Sequence, residues 1–217
     1  MTVFLIFRHP IGMLKIQKGV IKFKNKVITQ DISFTIKRGE IAVITGDSGK
    51  GKTSLLNAFL GFYPLSEGFI QYNDVKLSQE TILSIRKKLA WLPQSFDLGR
   101  SLTKEIIYDI FEFHDNKRLL PQIDEIKKQL NLLNLPESVL KMPFNKLSGG
   151  EKQRIGLLVC LLLKRDYLFL DEPSSALDKK SKLSVFRALK RLKETVILTT
   201  SHDKDWIKLC SKRIKLN

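Results

Sequence analysis

Apolar positions along the chain follow two spacings, and the switches between them mark out its elements. Glu40-Ile41-Ala42-Val43-Ile44-Thr45 is a continuous β-branched apolar run, the pattern of a strand covered on both faces. Ile32-Ser33-Phe34-Thr35-Ile36 alternates instead, and with Leu14 to Phe23 it predicts two strands ahead of the buried one. Leu55 to Leu60 continues as a helix. Gly68 to Asn73 predicts a short edge strand closed by Asn-Asp turn chemistry, and Thr81 to Lys88 a helix. Leu89 to Leu92 predicts a strand stopped by Pro93, which leaves Gln94 on a loop. From Thr103 to Leu140 the spacing is helical, with Ile106, Ile107, Ile110 and Phe111 on one helix and Ile123, Ile126, Leu130 and Leu133 on another. Next come a helix from Ser148 through Leu163, a buried strand from Tyr167, a helix through Leu192 and a buried strand over Thr195–Thr200. A helix over Lys204–Cys210 and a strand over Arg213–Leu216 follow. Strands alternating with helices make this an α/β chain, and the helical stretch between its halves reads as an inserted subdomain.

The turn between the first buried strand and its helix carries the strongest chemistry. Gly46-Asp47-Ser48-Gly49-Lys50-Gly51-Lys52-Thr53-Ser54 satisfies G-x-x-x-x-G-K-[ST] at every fixed position, in the strand–loop–helix context that gives the motif meaning. Glycines let successive N–H groups form a concave nest for phosphate oxygens, and the helix N-terminus adds its partial positive charge. Lys52 is expected to reach the outer two phosphates, and the Thr53 hydroxyl to ligate Mg²⁺. The chain is therefore expected to bind a nucleoside triphosphate.

Three other stretches point to the same place. Tyr167-Leu168-Phe169-Leu170 ends in Asp171-Glu172, and buried parallel strands end at a ligand crevice. Asp171 can hold Mg²⁺ through water, and Glu172 can polarise an attacking water. The strand over Thr195–Thr200 delivers Ser201-His202-Asp203 to that edge, which raises His202 above the ordinary structural histidine. Ser148 and Glu151 have capping-box spacing, so Ser148 should cap its helix. Gly149 and Gly150 weaken the first turn by about 1 kcal/mol each relative to alanine, a cost that makes sense if a phosphate approaches the backbone there. Phe23 could stack on a purine ring, or pack on its sheet like any apolar strand residue.

Composition narrows the setting. The 217 residues are 43% hydrophobic and 28% charged, enough to bury one core. A net charge of +16 suits a polyanion or an anionic membrane surface, and equally a solvated basic exterior. Cys160 and Cys210 form no C-x-x-C pair, which argues against a disulfide framework or zinc site and for a reducing compartment. No apolar run approaches the ~18–20 residues that span a bilayer, so a membrane role would be peripheral. Val3-Phe4-Leu5-Ile6-Phe7 is too short for a signal-peptide core, and residues 1–12 read as an upstream extension.

The motif set resembles the ATP-binding-cassette (ABC) ATPases over about Leu14 to Leu216: GDSGKGKTS at 46–54, Leu92-Pro93-Gln94, LSGGEKQR at 147–154, LFLDEP at 168–173, SALD at 175–178 and Ser201-His202-Asp203. The resemblance implies a P-loop NTPase core with a mainly parallel central sheet, an N-terminal antiparallel β subdomain and an inserted α-helical subdomain. The implied boundaries are an ATP-binding domain over 13–217, with a catalytic core of 14–94 and 147–217 and helices over 95–146. It implies adenine stacking on Phe23, where the family more often has tyrosine. Phosphates would be held by Lys52, Thr53 and the loop amides from Gly49 to Ser54; Lys50 stands where small residues are commoner. Gln94 would touch Mg²⁺ and the attacking water, Asp171 would assist Mg²⁺, Glu172 would be the general base and His202 would contact the γ-phosphate. Ser148, Gly149 and Gly150 would cradle the nucleotide of a second subunit in a head-to-tail homodimer closed by ATP, with Asp178 at the interface.

A separate polytopic permease would dock beside Gln94, near Ser95 to Thr103, with Phe96, Leu98 and Leu102 offering an apolar contact, at the cytoplasmic face of the inner membrane. Short length and local runs such as Leu135-Pro136-Glu137-Ser138-Val139-Leu140 are similar to small bacterial ATPases assigned to iron export. Lipoprotein-release and cell-division ATPases are the alternative within the family. A soluble ATPase acting on nucleic acid is the alternative outside transport; the absence of coiled-coil or zinc insertions and of a second cassette argues against it.

Overall fold

The computed structural model describes residues 12–23, 26–47 and 49–216, and the side chains of Phe23 and Lys26 also fall outside what it describes. The expected extension over residues 1–12 therefore lies almost wholly outside the described residues.

Two sheets form the framework. Met13–Phe23 (β1) and Lys26–Lys37 (β2) pair antiparallel, and Glu67–Tyr72 (β4) and Val75–Lys76 (β5) complete a four-stranded sheet in the order β2-β1-β4-β5. The second strand begins six residues earlier than its alternation predicts, because pairing with β1 carries Val27 to Ile32 into the ladder. The expected edge strand β4 is an interior one: β1 flanks it on one side and the two-residue β5 takes the edge.

The second sheet is parallel throughout. Ile41–Thr45 (β3), Leu89–Leu92 (β6), Tyr167–Asp171 (β7), Val196–Thr200 (β8) and Lys212–Lys215 (β9) lie in the order β6-β7-β8-β3-β9. The three central strands are buried at every residue, which is why they read as unbroken apolar runs, whereas edge strand β9 alternates and exposes Arg213 and Lys215. Their side chains alternate between two cores. Ala42, Ile44, Tyr167, Phe169 and Leu198 pack with the helix Lys52–Phe59 (α1) and with Leu14, Ile16 and Ile36 of the antiparallel sheet. Ile41, Val43, Leu168, Leu170 and Ile197 pack on the opposite face against helices.

Those helices are Thr103–Glu112 (α3), Ile123–Leu132 (α4), Gly149–Leu162 (α5) and Lys179–Lys190 (α6); Ile82–Arg86 (α2) and Lys204–Leu209 (α7) are shorter. Arg154 ties α5 to the insert by donating to the carbonyls of Leu133 and Asn134 at 3.2 and 2.6 Å, where α4 ends. All five parallel strands run the same way, so the loops after β3, β6, β7 and β8 leave from one edge.

Candidate active site

The phosphate loop leaves β3 at Gly46 and enters α1 at Gly51. Gly51 has φ 85°, in the left-handed region, and a Cβ there would lie 2.4 Å from Ile28 Cγ2, so both conformation and the close approach of β2 exclude a side chain. Lys52 Nζ donates to the carbonyls of Gly46 and Asp47 at 2.8 and 3.0 Å, which holds the ammonium against the loop. Ser48 lies outside the described residues.

Across the sheet edge, β7 ends in two acids of different character. Asp171 is 3% exposed, and its Oδ1 accepts from Thr200 Oγ1 at 2.5 Å. Glu172 is 7% exposed and turns off the strand with φ 48°. Its Oε2 is buried with no hydrogen bond among the described residues; His202 Nδ1 stands 3.0 Å away, an ion-pair distance once the imidazole is protonated. The His202 side chain is otherwise 71% exposed.

A cleft of about 840 Å³, within the ~300–1,000 Å³ span of small-molecule sites, brings these groups together. Gly46, Asp47, Gly49, Gly51, Lys52, Thr53, Ser54, Gln94, Glu172 and His202 all line it. Lys50 is exposed beside it, and Asp171 lies buried at the end of β7. Phe23 ends β1, paired with Lys26, and its side chain is outside the described set.

Ser148, Gly149, Gly150 and Asp178 do not line this cleft. Ser148 caps α5 as expected: its Oγ accepts from Glu151 N at 3.3 Å, and Glu151 Oε2 accepts from Ser148 N at 2.8 Å. The Ser148 amide and hydroxyl hold the Glu151 carboxyl below its usual range. Within this chain the close approaches at the two glycines are to the turn after β7. At Gly150 the group that comes close is a carbonyl, since a Cβ would lie 2.7 Å from Ala176 O. Gly149 is exposed, and a Cβ there would meet only Ala176 Cβ at 3.7 Å. Asp178 caps α6 by accepting from Ser181 N at 2.7 Å.

The three apolar residues beside Gln94 differ in exposure. Phe96 is packed inward: its ring lies 6.0 Å from that of Phe144, and a Cβ on Gly156 would sit 2.4 Å from it. Leu98 is also half-buried against the core, leaving Leu102 as the exposed apolar group of the three. Asp203 is a cap for α7, accepting from Asp205 N and Trp206 N, and it pairs with Lys182 of α6. Sequence reasoning missed Thr200, as well as Ile28, Lys204, Arg213 and Lys215, which line the cleft from β2, α7 and β9. A hydroxyl run at a strand end, Thr199-Thr200-Ser201, was the available signal for the first. The basic residues of β9 read only as part of a last strand.

A glycine loop between a buried strand and a helix, facing strand-end acids along one sheet edge, places the chain among the P-loop nucleoside triphosphate-binding folds. The family model described as ABC transporter matches residues 29–175, and the chain belongs to that family. A Treponema denticola protein named as an ABC transporter ATP-binding protein is 35% identical over 201 residues, covering 91% of this chain and 39% of its own length. The Fe(3+) ions import ATP-binding protein FbpC of Fusobacterium nucleatum is 30% identical over 207 residues, covering 93% and 54% respectively. The chain thus spans about two-fifths to half the length of these relatives. A bacterial ABC transporter cassette solved as a dimer superposes with a TM-score of 0.77 at 22% identity, covering 94% of each chain. Relatives at 29% and 33% identity are named for zinc import in Anaplasma marginale and macrolide export in Campylobacter jejuni.

Proposed function

We propose that the chain binds and hydrolyses ATP as a head-to-tail homodimer and so drives transport through a separate membrane permease. The observation that carries this reading is the division of the motifs: the phosphate loop, Gln94, Glu172 and His202 share one cleft, whereas Ser148, Gly149, Gly150 and Asp178 do not line it. A capped helix start with an open Gly149 is an anion site, and a second copy turned head to tail brings a triphosphate to it.

The chemistry follows from the placement. Lys52 and the loop amides hold the outer phosphates and offset their charge. Water attacks the γ-phosphorus in line, its proton passing to Glu172 Oε2, while the bond from the γ-phosphorus to the β,γ-bridging oxygen breaks and ADP leaves. His202 stands where it can hold the γ-phosphoryl oxygens. Thr53, Gln94 and Asp171 supply hard oxygen donors that fit Mg²⁺ better than a softer ion, and the metal would neutralise charge on the β- and γ-oxygens. Phe23 is the stacking partner we assign to adenine.

We divide the chain into a catalytic core over 14–94 and 147–217 and a helical subdomain over 95–146, with residues 1–12 as an extension. Support comes from α3 and α4, which lie between the Gln94 loop and the start of α5. The permease docks beside Gln94, with Leu102 as the accessible apolar group and Phe96 holding the loop from below. No helix of the described residues is long and apolar enough to cross a membrane, and a peripheral position at the cytoplasmic face suits that. For cargo we favour a metal, and iron in particular; the permease chooses both ion and direction.

Phosphate release from MgATP by the purified chain, alone and with its permease, tests the first half. Glu172→Gln should cut kcat by roughly 100-fold or more with ATP affinity retained, and Lys52→Ala should weaken ATP binding itself. A Glu172→Gln variant with native turnover contradicts the base assignment. Affinity capture from detergent-solubilised membranes should retain a polytopic protein; DNA-stimulated hydrolysis with a steep salt slope would instead favour the nucleic-acid reading.

A further inference from the structure

Resting on the active site described above, one buried hydroxyl lies between its two strand-end acids. Thr200 ends β8, is 0% exposed, and sits directly beside Asp171 in the parallel ladder. Its Oγ1 donates to Asp171 Oδ1 at 2.5 Å and accepts from Glu172 N at 2.9 Å. A hydroxyl carries one proton and two acceptor positions. The amide can only donate, so the single proton of Thr200 goes to the Asp171 carboxylate, and both bonds have a fixed direction. Glu172 meanwhile holds φ 48°, a region that non-glycine residues occupy only when their surroundings enforce it. That turn places Glu172 on the cleft wall with Oε2 3.0 Å from His202 Nδ1.

We propose that Thr200 is a positioning residue for hydrolysis. Its hydroxyl fixes the Asp171 carboxylate and, through the Glu172 amide, the turn that aims the general base. One side chain thereby sets the relative placement of the metal-facing acid and the proton acceptor. Valine keeps the β-branched shape of Thr200 with a methyl in place of the hydroxyl, so Thr200→Val removes both hydrogen bonds and leaves Asp171 Oδ1 and the Glu172 amide without that partner. Thr200→Ser keeps the hydroxyl and drops the methyl.

The test compares both variants with the unaltered chain in MgATP hydrolysis, ATP affinity and Mg²⁺ titration, with amide exchange at Glu172 as a readout independent of turnover. Thr200→Val should lower kcat roughly tenfold, leave ATP affinity within about twofold, and raise the Mg²⁺ concentration for half-maximal rate several-fold. Its Glu172 amide should exchange faster, and Thr200→Ser should restore all of these to near the native values. A Thr200→Val protein with native kcat and Mg²⁺ response overturns the proposal. So does a Thr200→Ser protein as impaired as Thr200→Val, because that would trace the effect to packing. Should Thr200→Val fail to fold, Thr200→Ala against Thr200→Ser reads the same contrast. An unaltered chain that hydrolyses no ATP, even with its permease, refutes the active-site reading itself, a result visible without any variant.

Discussion

Asp171 and Glu172 are neighbours in sequence with different proposed tasks, and their surroundings differ. Asp171 is held by the Thr200 hydroxyl at the end of β8, while Glu172 turns into the left-handed region and presents a carboxylate oxygen with no hydrogen bond among the described residues. The thiols show environment acting the other way. Burial pushes Cys160 and Cys210 each up to about 12. At pH 8 a thiol with that pKa is ionised on the order of 10⁻⁴ of the time, and only the thiolate reacts. Maleimide or iodoacetamide should therefore label the native chain slowly at pH 8 and rapidly once urea unfolds it; fast labelling of both cysteines without denaturant would contradict the packing around them. At this scale the sequence was informative wherever a motif is a glycine loop, a strand end or a cap, as with Lys52, Glu172 and Ser148. For Thr200 the hydroxyl run at the end of β8 marked the place but not the partners, which are fixed by the β7–β8 register that no local spacing encodes.

Helix starts and strand edges decide the next scale. The box at the head of α5 joins Ser148 and Glu151 reciprocally, so Ser148→Ala should lower stability by about 1 kcal/mol in urea melts. Gly150→Ala should cost more than Gly149→Ala, since only the former drives a Cβ into the Ala176 carbonyl; equal effects would contradict that packing. Acid adds a second test. The folded Glu151 carboxyl is held low by the Ser148 amide and hydroxyl, so the unfolded chain binds the proton first as pH falls. The stability it contributes is present above the ordinary carboxylate pKa and is lost as pH drops from there through the lowered folded value. Glu151→Gln should flatten that part of the stability–pH curve. Element types were legible because buried strands read as apolar runs and helices as 3.6-residue spacing. The position of β4 was not, since the strand that covers its edge is two residues long. Phe96 looked available on a loop, and only the small residue at Gly156, across the fold on α5, shows where its ring goes.

At the scale of the whole molecule, the proposed dimer rests on two glycine-bearing helix starts, of which only that of α1 lines the cleft. The phosphate loop sits in the cleft with the hydrolytic groups, while the head of α5 and the Asp178 cap lie outside it. A single chain would leave the second feature without a ligand; two chains turned head to tail would use both twice. This division was visible in sequence only through the resemblance to ABC ATPases, because spacing along the chain says nothing about which motifs share a cleft. Gly149 makes the claim testable, since it is exposed and a Cβ there meets only ordinary contact with Ala176 within its own subunit. The decisive measurement is the molar mass by light scattering of Glu172→Gln with and without ATP, beside the double variant Glu172→Gln/Gly149→Glu. The account predicts that ATP doubles the mass of the first and leaves the second a monomer that still binds nucleotide. A Glu172→Gln chain that stays monomeric with ATP bound, or a double variant that still doubles, would contradict it.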